Sequence, residues 1–376
     1  MSLALDRAGI VQFGTSRFLL GHVAAFVGES LAAGRSRDSI LVVQTSSRPE
    51  GKAKARALAE QRRYPLRVRG LRDGAAVDTQ REVESIAGCL IADEQWPVLE
   101  RHFVETARWV VSNSGDNGYQ VGDDTSLAEV PKSFPGKLTK LLHARYRAGR
   151  DGLTLLPCEL ISGNGRVLKE TVMALARRDH ADPDFEAWLD ERCLWVDTLV
   201  DRIVSAAIEP VGAVAEPYAL WAIQATPGLA LPCDHPDVQE VESLLPYELR
   251  KLHVLNLAHS YLVDQWRHRG LSPGISLVRE AMQEPTLREA LCRLLDEEVL
   301  PVLEQELPGL DLAAYRDGTL ERFINPYLDH RLADIAQHHP QKIQRRLQPV
   351  SDMARRHGLA TPRLEEAISR AASLVG

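Results

Sequence analysis

Short runs of β-branched and apolar residues alternate with longer amphipathic stretches through the first two-thirds of the chain. Runs at 9–13, 39–45, 65–71, 109–113, 153–156, 199–206 and 218–225 predict strands. Helical periodicity at 17–33, 49–62, 95–106 and 133–148 predicts the helices between them. The last of these has sharp ends: Ser133 suits the accepting position before the first turn, Pro135 fits within that turn, and Gly149 stops the helix. Alternation of this kind builds a layered α/β domain around a mostly parallel sheet. From about residue 244 the strand signals vanish, and helices are expected at 246–266, 286–307 and 361–374. The pattern therefore predicts an α/β domain over 1–238 followed by an all-helical domain over 239–376, with the prolines and glycine of 225–236 as the linker.

Composition narrows the class of protein. At 376 residues, 44% hydrophobic and 26% charged, the chain can bury a sizeable core. Its net charge is −7 and its basic residues are scattered, so the positive face that nucleic acid requires is not expected. No segment approaches the ~20 apolar residues of a membrane span. Asp6 and Arg7 interrupt the start before an apolar run develops, so a cytoplasmic protein is expected. Cys89, Cys158, Cys193, Cys233 and Cys292 are odd in number, far apart and free of C-x-x-C spacing, which argues against disulfides and a cysteine zinc site.

Two stretches carry candidate nucleotide chemistry. The run at 9–13 leads into Gly14-Thr15-Ser16-Arg17-Phe18 and a helix, an arrangement whose backbone amides and positive helix end suit a pyrophosphate. The full G-x-G-x-x-G fingerprint is absent, with Gln12 at its first glycine and Arg17 at its third, so the turn alone also fits an ordinary strand-to-helix connection. After the second strand the ribose-binding carboxylate is missing. Gln44 suits ribose hydroxyls and Arg48 a 2′-phosphate, which leaves both NAD and NADP open. Ser112-Asn113-Ser114-Gly115-Asp116-Asn117-Gly118-Tyr119 follows a strongly apolar strand, where such a polar turn either lines a ligand site or is simply exposed.

The helix predicted over 246–266 carries Lys251, Asn256 and His259. At about 100° per residue, Lys251, His259 and Asn256 fall near 0°, 80° and 140° on one side, beside the apolar Leu255, Ala258 and Leu262. Partial burial of the trio is therefore expected, and a desolvated lysine amine gives up its proton more readily. Oxidising a secondary alcohol needs a base at the hydroxyl and donors for the developing alkoxide. Lysine suits the first role, asparagine the second, and the histidine can hold both. The same residues also fit a solvated helix start.

These motifs, in this order, resemble the long-chain polyol dehydrogenase family that includes mannitol dehydrogenase, fructuronate reductase and tagaturonate reductase, over residues 11–346. The Lys251, Asn256, His259 spacing is similar to the family's K-x-x-x-x-N-x-x-H motif, and Val200-Asp201-Arg202-Ile203 resembles its V-D-R-I strand. Glu216-Pro217-Tyr218 resembles the start of its next strand. Pro157-Cys158-Glu159-Leu160 with Asn164-Gly165, Ser133-Phe134-Pro135-Gly136-Lys137, and Arg322-Phe323-Ile324-Asn325-Pro326 with His330 and Lys342 look most like the tagaturonate reductase branch. The resemblance implies a Rossmann-type doubly wound domain and a helical domain, with a metal-independent active site in the cleft between them and NAD as cofactor. By motif, Lys251 is the implied acid/base, Asn164 and Asn256 the donors to the substrate oxygen, and His259 the positioning group; Asp201 and Lys342 bind substrate. Leu20 replaces an arginine common in the nucleotide turn, and Glu159-Leu160 replaces the aspartate-asparagine pair of the mannitol branch. The expected reaction is reversible reduction of a keto sugar acid, such as tagaturonate or fructuronate, to its aldonate. The alternatives are a dehydrogenase of uncharged polyols such as mannitol or arabinitol, and a cofactor-binding sensor without turnover.

Overall fold

The computed structural model describes residues 5–115, 118–271 and 273–373, so Asp116 and Asn117 of the polar turn, and the last residue of the expected closing helix, lie outside the described residues. The chain forms two compact units, Met1–Val68 with Thr79–Leu244, and Arg69–Asp78 with Leu245–Gly376.

In the first unit a six-stranded parallel sheet is built from β1 (Ile10–Phe13), β2 (Ile40–Gln44), β3 (Ile86–Ile91), β4 (Trp109–Ser112), β5 (Thr154–Pro157) and β6 (Leu194–Trp195). Their spatial order is β3-β2-β1-β4-β5-β6, with Ile10 of β1 opposite both Ile40 and Trp109. This is the doubly wound order whose direction reverses between β1 and β4. Every residue of β1 to β5 is buried, because helices cover both faces and leave no solvated side to select polar alternation. Val11, Phe13, Val43, Val110 and Leu155 pack with Leu138 and Leu141 of the helix Phe134–Arg147 and with Leu168 and Val172 of Asn164–Asp179. Ser133 accepts from the Gly136 amide at 3.0 Å, and Pro135 stands in the first turn, as the local sequence requires.

Several sequence expectations change. The run 199–206 is two strands, Thr198–Asp201 and Val204–Ala207, in different sheets. The break falls where the buried Arg202 guanidinium donates to the Gly21 and Glu216 carbonyls, at 2.8 and 3.0 to 3.1 Å. Residues 225–236 are no linker: they cross between the parallel strands Leu220–Gln224 and Val238–Val241 inside the first unit, and the Trp109 indole donates to the Ala230 carbonyl at 2.7 Å. The sheet unit accordingly runs beyond residue 238, to Leu244. The third change is a hairpin, Tyr64–Arg72 to Ala75–Val83, turned by Asp73 and Gly74 at φ 52° and 76°. Its tip, Arg69–Asp78, belongs with the helical unit, where the Arg69 guanidinium lies 4.0 Å over the Tyr327 ring.

The second unit is otherwise helical around a core that includes Leu287, Leu291, Leu294, Leu303, Val350 and Leu364, all fully buried. Among the described residues, no helix is long and apolar enough to cross a membrane. The expected single helix 246–266 is Leu245–Arg250, a wider π-helical segment Lys251–Asn256, and Leu257–His268.

Candidate active site

At the carboxyl edge of the parallel sheet, the turn after β1 crosses the reversal between β1 and β4. Gly14 takes φ 117°, donates to the Val43 carbonyl at 2.9 Å, and is so placed that a Cβ would stand 3.4 Å from the Asn113 carbonyl oxygen. Only glycine adopts that backbone without strain. The Thr15 hydroxyl donates to Gln44 Oε1 at 2.6 Å, and Gln44 Nε2 donates to the Ser46 carbonyl and hydroxyl at 2.9 and 2.8 Å. The Gln44 amide thus ties the turns after β1 and β2 together: its N–H donors serve Ser46, and its Oε1 accepts from Thr15 with a second lone pair left over. Ser16 accepts from the Leu19 amide at 3.3 Å and starts the helix Arg17–Gly21, on which Arg17 is exposed and Phe18 stacks on His22 at 4.9 Å. Asn113 Nδ2 donates to the Cys158 carbonyl at 2.7 Å. Gly14, Thr15, Ser16, Ser112 and Asn113 are therefore gathered at one edge.

Behind them lies Glu159, 3% exposed, just past β5. Its carboxylate accepts from Ser112 Oγ at 3.1 Å, the Ser114 amide at 2.9 Å, Ser114 Oγ at 2.8 Å and Tyr119 Oη at 3.0 Å. Burial, followed by the Glu159 charge, pushes the Tyr119 hydroxyl pKa far up, so Tyr119 stays a donor. Asn164 opens its helix with a fully committed amide: Nδ2 faces the carbonyls of Pro157, Glu159 and Thr198 at 3.0, 3.1 and 2.9 Å, and Oδ1 accepts from the Thr198 amide at 2.9 Å. Two amide hydrogens shared among three carbonyls leave no donor for a substrate oxygen, which corrects the role expected for Asn164. Asp201 is buried at the end of its strand, paired in register with Leu220.

In the helical unit, the π-helical segment begins at Lys251 and ends at Asn256, and Leu257 N–H bonds the Leu252 carbonyl five residues back. An α-helix would turn these two residues about 140° apart; i→i+5 bonding widens the turn and narrows that angle. His259, three residues further along an ordinary α-turn, stays on the same face. Lys251 and Asn256 are half-buried and His259 is buried. The His259 ring packs 4.1 Å from Phe323 and 4.7 Å from His330, centroid to centroid. Burial, then the nearby positive charges of His330, Arg322 and Arg346, holds its pKa well below the ordinary imidazole value, and His259 is neutral.

Arg346 supports the same face from far along the chain: its guanidinium donates to the Asn256 carbonyl at 3.1 Å and to Ser260 Oγ at 2.9 Å, and its own carbonyl bonds His253 Nδ1 at 2.9 Å. Lys342, one turn earlier on the helix His339–Arg346, donates to the Ile335 carbonyl at 2.8 Å. Burial and then the Arg346 charge lower its pKa. Arg346 is not among the site residues that the sequence predicts. Its one available signal was the four-residue spacing from Lys342, which places two cations on one helical face.

Comparison with known families settles the relationship. The mannitol dehydrogenase Rossmann domain matches residues 8–231 and the mannitol dehydrogenase C-terminal domain matches residues 243–373. The chain belongs to the mannitol dehydrogenase family. Among curated relatives, altronate oxidoreductase of Bacillus subtilis (strain 168) is 32% identical over 381 residues, covering 94% of this chain and 77% of that protein. The altronate oxidoreductase of Pectobacterium carotovorum subsp. carotovorum (strain PC1) is 33% identical over 332 residues, covering 81% and 67%. Two solved structures share the fold of this mannitol dehydrogenase family member at 22% identity. A substrate-free D-sorbitol dehydrogenase has a TM-score of 0.84, covering 98% of this chain and 81% of that one. Pseudomonas fluorescens mannitol 2-dehydrogenase, a ternary complex with NAD and D-mannitol, has a TM-score of 0.73, covering 97% and 79%. The expected Rossmann-type sheet followed by a helical domain is the architecture observed.

Proposed function

We propose that this chain is an NAD-dependent dehydrogenase that interconverts an aldonate of the altronate type with its keto acid. The observation that carries the reading is the face formed by Lys251, Asn256 and a neutral His259, set among the cationic Arg322, Lys342 and Arg346. A polyol has no use for that positive field, whereas a carboxylate is held by it. The curated relatives named altronate oxidoreductase support the same substrate class.

Lys251 takes the hydroxyl proton on oxidation and returns it on reduction. The Asn256 side-chain amide donates to the same oxygen and steadies its developing charge. Uncharged His259 keeps one ring nitrogen as donor and one as acceptor, and so orients the substrate rather than competing for its carboxylate. Asn164 is left out of the donor set, since its amide belongs to the backbone. When bound, the nicotinamide cofactor supplies the hydride acceptor. The strand order and the close approach of Gly14 to Asn113 fit such a group, and the turn Gly14 to Phe18 with Ser112 and Asn113 would hold it.

A steady-state screen of altronate, tagaturonate, fructuronate, mannitol and arabinitol with NAD and NADP tests the assignment. Sugar-acid turnover with NAD is expected, and Lys251→Ala should abolish most of it while changing the cofactor Kd by less than about twofold. Absence of turnover with every sugar acid, or equal loss of cofactor binding and rate in Lys251→Ala, refutes the reading.

A further inference from the structure

We propose that Glu159 biases this protein toward the oxidised rather than the reduced nicotinamide cofactor, an inference that rests on the NAD reading above. Glu159 follows β5, in the half of the sheet, β4-β5-β6, that lies beyond the reversal point. A dinucleotide spans that point with one mononucleotide on each half, and the pyrophosphate turn after β1 assigns the far half to the nicotinamide side. Only short links separate the carboxylate from the crevice: it accepts from Ser112 at the end of β4, and the next residue, Asn113, presents its carbonyl to Gly14.

The hydrogen-bond partners of this carboxylate are two serines, one backbone amide and a tyrosine. Among the described residues all of these partners donate to its oxygens, and none carries a positive charge. A carboxylate held out of water by neutral donors keeps an outward field that a counter-charge would have quenched. The oxidised nicotinamide ring carries a positive charge that the reduced ring lacks, while the rest of the cofactor is the same. The Glu159 field therefore acts on the difference between the two forms, whereas the hydrogen bonds that order residues 112–119 act on both alike.

The test is direct binding, without turnover, of NAD+ by titration calorimetry and of NADH by fluorescence. In Glu159→Gln, the affinity ratio of NAD+ to NADH should fall about tenfold relative to the wild type. Tyr119→Phe removes one hydrogen bond but keeps the charge, and should leave that ratio within about twofold. Equal weakening of both forms in Glu159→Gln would reduce Glu159 to a loop organiser and overturn the proposal. So would a tenfold shift of the ratio in Tyr119→Phe, a result that stands even if Glu159→Gln fails to fold. Wild-type protein that binds neither form would fail at the earlier step, the NAD reading itself.

Discussion

Acidification from pH 7.5 to 5.5 is expected to destabilise the folded chain through imidazoles buried in the neutral form. His102, His253 and His259 are 7%, 1% and 7% exposed, and burial is the first cause lowering the pKa of each. The unfolded chain takes up a proton at each site as the pH falls through about 6.5, while the folded chain resists. The stability these groups contribute is thus fully present above pH 6.5 and is lost as the pH falls toward their folded values. For a histidine that stays neutral throughout, the loss over this interval is about 1.4 kcal/mol. These three groups together account for up to about 4 kcal/mol, a large part of the 5–15 kcal/mol typical of a folded protein, and His143, His180 and His330, lowered by burial as well, act in the same direction. His259 should supply nearly its whole share, because the cationic Arg322 and Arg346 add to the effect of its burial. Glu29, Asp179 and Asp264 have lowered pKa values and titrate below this interval, so they do not mask the effect. Urea unfolding followed by circular dichroism at the two pH values measures it, and His259→Gln should shrink the difference by about 1 kcal/mol. Equal unfolding free energies at pH 7.5 and 5.5, or an undiminished difference in His259→Gln, would refute the reasoning.

Asn256→Ala should slow single-turnover hydride transfer by about 100- to 1000-fold with cofactor affinity retained, as for loss of one donor to a developing oxyanion. Arg346→Met removes the bonds to the Asn256 carbonyl and Ser260 Oγ and should cost about 1.5–3 kcal/mol in urea unfolding. The same variant should lower kcat/KM for altronate more than for mannitol; equal losses would count against carboxylate recognition. Gly165→Ala puts a Cβ 2.5 Å from the backbone carbon and oxygen of Val196, which cannot swing aside, so a loss of about 1–3 kcal/mol is expected in thermal or urea unfolding.

Four of the six parallel strands, β1, β2, β4 and β5, are legible in the sequence because each is buried on both faces and reads as an unbroken apolar run, whereas Ile86–Ile91, interrupted by Gly88 and Cys89, and the two half-buried residues Leu194–Trp195 are not among the runs it predicts. The strand Ala75–Val83 is not legible either, since all but its last residue is exposed or half-buried and no alternation marks a buried face; only the preceding Asp73-Gly74 pair signalled a hairpin. The run 199–206 looked continuous because side-chain pattern does not register a sheet change, and the deciding contacts of Arg202 reach back to Gly21 and forward to Glu216. The prolines and glycine of 225–236 predict a linker because they mark irregular backbone, but irregular backbone serves a crossover within one unit as well as a linker between two.

For the candidate site, residue order alone determined the spacing of Lys251, Asn256 and His259 and the polar turn after β1, because both are local properties of the backbone they occupy. Only the folded chain decided that the segment from Lys251 to Asn256 is π-helical, that Asn164 spends its amide on carbonyls, and that Glu159 is buried among neutral donors. It also brought Arg346 to Asn256 across 90 positions. These outcomes depend on which distant atoms compete for each donor and acceptor, and that competition is settled by packing rather than by neighbouring residues.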